Sequence, residues 1–114
     1  MLHAENGEPI AKTRFAKSAF EKFRGLMLEE EKNFDYALVF ELGTPTRIGA
    51  SVHMMFVFFP ICIAFLDGNK RVFEKNILEP WALNYTPKAE AKWLVELPIR
   101  HSKKIRVGER LFWD

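Results

Sequence analysis

The feature that most constrains the fold of this chain is the apolar stretch 52–66, VHMMFVFFPICIAFL. As one helix it would be about 22 Å long at 1.5 Å per residue, which is shorter than the roughly 30 Å hydrocarbon core of a bilayer. Pro60 interrupts the stretch, and β-branched and aromatic residues dominate it, which favours extended chain. The stretch therefore predicts two core strands, over 51–56 and 61–66, and no membrane span.

The rest of the chain predicts further short strands and one short helix. Ser18 and Glu21 have the spacing of a capping box, which predicts a helix over 19–24 that ends at Gly25. Asp67-Gly68 is a hairpin signal, because these residues tolerate the backbone angles of tight turns. The remaining predicted strands cover 9–13, 36–42, 71–77, 92–97 and 109–113.

Length and composition predict one soluble domain over residues 1–114, with a core over about 9–113 and a flexible segment 1–8. Hydrophobic residues make up 48% of the chain and the formal charge is only +2, so disorder is excluded. The first residues lack the pattern of a signal peptide, and the lone Cys62 excludes an intramolecular disulfide. A cytoplasmic location is expected.

Many short strands with one helix predict an all-β fold, either a β-sandwich or a partly open barrel. In addition, a series of short motifs resembles the uncharacterised protein family known as domain of unknown function 192. The resemblance extends from about residue 11 to residue 112. It rests on the order and spacing of RGLM at 24–27, ALVF at 37–40, HMMF at 53–56, FPI at 59–61, AFLD at 64–67, PW at 80–81, VELP at 95–98 and VGE at 107–109.

This resemblance implies a jelly-roll-like β-sandwich and no established activity, cofactor or substrate. The chain departs from the family pattern at one position. Family members usually carry Asp directly after the Pro-Ile or Pro-Leu pair, and here Cys62 stands in that place. Any function that depends on this carboxylate in the family is therefore in doubt for this chain.

The sequence contains no complete set of residues for catalysis, metal binding or cofactor binding. It lacks a nucleophile elbow and a glycine-rich phosphate loop, and its three histidines and one cysteine do not have zinc-ligand spacing. Cys62 lies among apolar residues, which predicts a buried and unreactive thiol. We therefore expect no catalytic residue, no metal and no cofactor.

The leading hypothesis is a non-enzymatic binding module that recognises a small molecule or a partner protein. Methionine and tryptophan can form an adaptable apolar pocket, and Arg24 is suited to an anionic group at its rim. The alternative is that the methionines only fill the core and Arg24 pairs with an acid such as Glu96. The candidate ligand-binding residues are Arg24, Gly25, Met27, His53, Met55, Trp81 and Glu96.

Two other functions are kept as alternatives. The first is a hydrolase-type enzyme whose site forms around His53, which would need an acid within hydrogen-bond reach. The second is nucleic-acid binding through the basic C-terminal half, where 100–106 is rich in cations and Trp93, Phe112 and Trp113 supply aromatic rings. No RNA-binding signature accompanies the basic run, and a solvated turn is its ordinary interpretation.

Overall fold

The β-strands form one open sheet in the computed structural model, which describes residues 1–82 and 84–114, with the backbone alone at 19, 20 and 23. The strands are β1 (Leu2–His3), β2 (Pro9–Ala16), β3 (Tyr36–Thr46), β4 (Ile61–Leu66), β5 (Val72–Leu78) and β6 (Ala91–Pro98). Their spatial order is β1-β2-β3-β6-β4-β5, and all neighbours are antiparallel except the parallel pair β2 and β3. The prediction of an all-β fold, mostly β with one short helix, is confirmed.

A short helix, α1 (Ala19–Arg24), lies in the connection between the parallel strands β2 and β3. The predicted capping box is confirmed: the Glu21 amide donates to Ser18 Oγ at 3.0 Å, and the Ser18 amide donates to Glu21 Oε1 at 3.0 Å. The Ser18 and Lys17 amides, which both donate to the Glu21 carboxylate, lower the pKa of this group. Gly25 ends the helix with a φ of 50°. Three 3-10 helices cover Glu31–Asn33, Ile48–Ala50 and Ile99–Lys104.

Both faces of the sheet are covered by apolar side chains. Along β4, alternate residues belong to two different core clusters, and all six are buried, which explains why this strand is apolar throughout. Leu2 and Ala4 belong to the second cluster, with exposures of 0% and 2%. The core therefore begins before residue 9, because β1 pairs with β2 and brings these residues under the sheet.

Segment 51–56 was predicted as a strand, and this is wrong. Only an isolated bridge joins Val52 to Tyr85, and Phe56 has a left-handed φ of 58°. The Met54 amide donates to the carbonyl of Ala82 at 2.7 Å, so the segment pairs with a loop outside the sheet. Its apolar residues Val52 and Met54 are buried by packing on one sheet face, without strand geometry.

The predicted strand over 109–113 is reduced to isolated bridges. One joins Arg71 to Arg110 and the other joins His3 to Phe112. A turn at Arg106–Glu109, closed by a 3.1 Å backbone hydrogen bond, precedes them and limits the pairing to single residues. Among the helices that the structure describes, none is long and apolar enough to cross a membrane.

Candidate functional site

A cavity of about 180 Å³ lies beside the C-terminal end of α1. It is enclosed between the segment 49–57 and the sheet face that carries Phe40, Ile61 and Leu94. Strands β3 and β6 each contribute two side chains to its floor and β4 contributes one, and the loop 49–57 forms the opposite wall. The wall is mainly apolar. The lining residues are Lys22, Arg24, Gly25, Leu26, Phe40, Leu42, Gly49, Ser51, Val52, His53, Met54, Val57, Ile61, Leu94 and Glu96.

Glu96 is the buried acid of this cavity. It lies on β6 between Leu38 of β3 and Ile63 of β4, and only 5% of its surface is exposed. Its Oε1 atom has no hydrogen-bond partner within the part of the chain that the structure describes. Burial raises the pKa of this carboxyl group to about 8. At neutral pH the group is therefore mostly uncharged and offers one O–H donor together with acceptor oxygens.

A second buried acid, Glu74 on β5, has a different environment. The Tyr85 hydroxyl donates to Glu74 Oε2, and the Lys88 amide donates to Glu74 Oε1 at 2.8 Å. The hydrogen bond to Glu74 raises the pKa of Tyr85. Both oxygens of Glu74 thus accept hydrogen bonds, whereas Glu96 Oε1 accepts none from the residues that are described.

Gly25 brings the backbone close to Glu96. A β-carbon at residue 25 would lie 3.7 Å from Glu96 Oε1 and 3.8 Å from Phe40 Cζ. The φ of Gly25 is positive, so glycine is also the residue that this backbone geometry favours. The end of α1 can therefore pass directly over the carboxyl group.

His53 and Ser51 lie on the loop wall of the cavity. His53 is half-buried, and its Nδ1 atom accepts from the Met55 amide at 3.3 Å. The Ser51 hydroxyl is 2.8 Å from the Thr86 hydroxyl. Ser51 was not among the sequence candidates. Its place at the start of the apolar stretch, two residues before His53, is the signal that would have identified it.

Two cations lie at the mouth of the cavity. Lys22 and Arg24 are both exposed in the last turn of α1. Within the part of the chain that the structure describes, no ion pair joins Arg24 to Glu96, so the alternative in which these two residues pair is not what the structure shows. Sequence reasoning missed Lys22, although the predicted helix 19–24 placed it one turn from the cap, beside Arg24.

The other sequence candidates do not line the cavity. Met27 is half-buried elsewhere, and Met55 and Trp81 are exposed. The Trp81 ring belongs to an exposed aromatic group with Phe56 and Phe58, at centroid distances of 4.9 and 5.7 Å. The structure therefore brings together Arg24, Gly25, His53 and Glu96, and separates them from Met27, Met55 and Trp81.

The basic run at 100–106 forms part of a turn that is held against the sheet. The Lys75 ammonium group donates to the carbonyls of Ser102 and Ile105 at 2.9 and 2.8 Å. Lys104 is 3.8 Å from Glu8, and Arg106 is 3.4 Å from Glu109. Burial, together with the neighbouring Arg100 and Lys104, lowers the pKa of His101.

The aromatic residues of the nucleic-acid hypothesis lie in a different environment. Trp93 and Trp113 pack edge to face at 5.1 Å, and Lys70 lies over both rings. The groove that they line contains no residue from 100–106. The cations of the run 100–106 and the rings of Trp93 and Trp113 therefore do not line the same groove.

The arrangement of potential metal ligands bears on whether the described part of the chain can bind a metal ion. Within residues 1–82 and 84–114, no group of three or more His, Cys, Asp or Glu side chains is arranged to hold a metal ion. Cys62 is fully buried, and burial raises the pKa of its thiol to about 11. The thiol is therefore protonated and shielded.

These features define a small, mostly β domain with one open sheet and an apolar cavity that contains a buried acid. The chain belongs to the family of domain of unknown function 192, described as an uncharacterized ACR, whose sequence model matches residues 1–113. The resemblance inferred from the motifs is thus confirmed.

Relatives of this chain are found in Pyrococcus species. The UPF0127 protein PF1050 of Pyrococcus furiosus is 39% identical over 100% of this chain and 97% of its own length. The UPF0127 protein PH1112 of Pyrococcus horikoshii is 39% identical over 88% of this chain and 85% of its own length.

A solved structure has the same fold. The crystal structure of a protein of unknown function from Novosphingobium aromaticivorans superposes with a TM-score of 0.81. The alignment covers 98% of this chain and 81% of the other, at 18% identity. At this identity the match shows the fold alone.

Proposed function

We propose that this domain is a non-enzymatic binding module that takes a small molecule into the cavity beside α1. One observation carries the proposal: Glu96 Oε1 is buried in the cavity lining, and no group among the described residues is hydrogen-bonded to it. A buried polar atom left unpaired costs about 1–3 kcal/mol. A ligand that supplies the missing hydrogen bond recovers that free energy on binding.

The composition of the wall supports the same proposal. Small-molecule sites are concave and mainly apolar, with a few polar groups that fix the orientation of the ligand. Here Leu26, Phe40 and Leu94 provide apolar surface, while Glu96 and His53 provide polar atoms. The position of the cavity at the rim of α1 leaves it open to solvent through the exposed Lys22 and Arg24.

The test is an NMR titration of the full chain against a set of small molecules of mixed charge. We expect backbone amide signals at residues 24–26, 53 and 94–96 to move together in a saturable manner. If compounds bind but the moving signals map only to other surfaces, the proposed site is wrong.

A pair of tryptophan variants provides the matched control. Leu42 is half-buried and lines the cavity, whereas Leu28 is 66% exposed and does not. Leu42→Trp should fill the cavity and weaken binding at least tenfold, while Leu28→Trp should leave binding unchanged. Equal effects of the two substitutions would count against the cavity.

A second candidate function, a hydrolase-type reaction, is favoured because Ser51, His53 and Glu96 all line the same cavity. A serine hydrolase needs these residue types in register. The test is turnover of short p-nitrophenyl esters by the full chain, compared with Ser51→Ala and His53→Gln. Turnover that both substitutions abolish would replace the binding-module proposal with an enzyme.

A further inference from the structure

The cavity also indicates the chemical class of its ligand, an inference that rests on the function proposed above. We propose that the cavity binds a small carboxylate with a short apolar chain, whose carboxylate accepts a hydrogen bond from Glu96 and is attracted by Lys22 and Arg24. Size, hydrogen bonding and charge each support one part of this assignment.

The volume limits the ligand to a few heavy atoms. An apolar protein cavity of about 150 Å³ is known to hold a benzene molecule. The cavity here is about 180 Å³, so it suits a molecule of roughly six to eight heavy atoms. The floor residues Phe40, Ile61 and Leu94 give an alkyl chain apolar surface to contact.

The hydrogen-bonding capacity of Glu96 favours an acceptor on the ligand. The pKa of about 8 keeps the carboxyl group protonated at pH 7, so its O–H is available as a donor. A hydrogen bond from O–H to a carboxylate is shorter and stronger than one between neutral groups. A ligand carboxylate thus satisfies Glu96 without requiring a charge on the protein acid.

The charges around the cavity favour an anion over a cation. Lys22 and Arg24 at the mouth are positive, and among the described residues that line the cavity Glu96 is the sole acid. His53 lines the loop wall, and the neighbours of Glu96 on β3 and β4 are the apolar Leu38 and Ile63. An alkylammonium ligand would be repelled at the mouth and would form no ion pair with a protonated Glu96.

The experiment compares three probes that share one carbon skeleton: butyrate, butyramide and butylamine. NMR titrations of the full chain at pH 7 should show butyrate binding at least tenfold more tightly than butylamine, with signals moving at residues 25, 53 and 96. If butylamine or butyramide binds in the cavity as tightly as butyrate, the carboxylate assignment is wrong and the binding function stands. If no probe or library compound moves the cavity signals, the proposed function itself fails.

The pH dependence of butyrate affinity in the Glu96→Gln variant tests whether Glu96 donates the hydrogen bond. A purely structural role of Glu96 would not change this pH dependence. The glutamine amide donates a weaker hydrogen bond than a carboxyl O–H, so butyrate affinity at pH 7 should fall several-fold. Wild-type affinity should fall about tenfold per pH unit above pH 8, as Glu96 ionises, and the variant should not show this fall. The His53→Gln variant, measured in parallel, separates any contribution of the imidazole. An affinity that rises with pH would overturn the proposal.

A charge variant tests the role of the cavity mouth. Arg24→Gln should weaken butyrate several-fold and leave butyramide unchanged, and added salt should reduce the difference. Lys32→Gln, which removes an exposed lysine outside the cavity, is the matched control. If Arg24→Gln weakens butyrate and butyramide equally, the electrostatic part of the assignment is wrong.

Discussion

The α-carbon of Gly25 lies so close to the carboxyl group of Glu96 that a β-carbon at residue 25 would contact Oε1 at 3.7 Å. The contact distance itself is ordinary. The backbone, with φ 50° and ψ −122°, is in a region that residues with a β-carbon rarely adopt. Two distant parts of the sequence, the helix end and the centre of β6, therefore depend on one glycine to meet.

We expect Gly25→Ala to lower the free energy of unfolding by about 1–3 kcal/mol, because the alanine must hold a strained backbone. Urea denaturation measures this loss. Gly43→Ala is the control, since its β-carbon would meet nothing within 4 Å and its φ is not positive. Gly108→Ala, with a φ of 97° and open space around it, reports the strain alone. A loss for Gly25→Ala no larger than that for Gly43→Ala would contradict the prediction.

The buried carboxyl group of Glu96 should make the protein less stable as pH rises. Below pH 4.5 both the folded and the unfolded states are protonated at this group. Between pH 4.5 and about 8 the unfolded state loses the proton while the folded state keeps it, so stability falls. The slope contributed by one group is at most about 1.4 kcal/mol per pH unit, and it disappears above the folded pKa.

The measurement is the free energy of unfolding of the wild type and of Glu96→Gln at half-unit steps from pH 4 to pH 9. The difference between the two proteins isolates Glu96, because all other titrating groups are shared. This difference should shift in favour of the variant as pH rises from 4.5 to 8. A constant difference across this range would show that the pKa of Glu96 is not raised.

Local sequence signals predicted much of the architecture. The capping box at Ser18 and Glu21 and the apolar run 61–66 reappear in the structure at the expected positions. These signals act within a few residues, so they do not depend on the rest of the fold. The same holds for Cys62, whose apolar neighbours in sequence are also its neighbours along a buried strand.

The parts that could not be predicted depend on contacts between distant segments. Val52 pairs with Tyr85, and this pairing takes the apolar segment 51–56 out of the sheet. Trp81 does not line the cavity, and its ring is exposed. The packing of three strands and a helix end likewise decides whether Glu96 has a hydrogen-bond partner. Local sequence patterns do not predict such long-range packing.

Tyr85 should contribute to stability through its hydrogen bond to the buried Glu74. Tyr85→Phe removes the donor and leaves a buried carboxylate oxygen unpaired, so we expect a loss of about 1–3 kcal/mol in the free energy of unfolding. Tyr36→Phe is the matched control: the Tyr36 hydroxyl donates at 2.7 Å to Glu29, which is only half-buried. The control should cost less, about 0.5–1.5 kcal/mol. Equal losses would indicate that burial of the acid is not the cause.

Cys62 should be unreactive toward thiol reagents in the folded protein. Its side chain is fully buried, and a thiol pKa of about 11 leaves about a thousandth of it as thiolate at pH 8. We expect reaction with a disulfide reagent at pH 8 to be at least a hundredfold slower than for the same chain in concentrated guanidinium chloride. The reaction rate should rise with denaturant in step with unfolding, because the thiolate is the attacking species. Unfolding exposes the thiol to the reagent and also removes the burial that raises its pKa. Rapid reaction of one thiol per chain without denaturant would show instead that the packing around β4 opens readily.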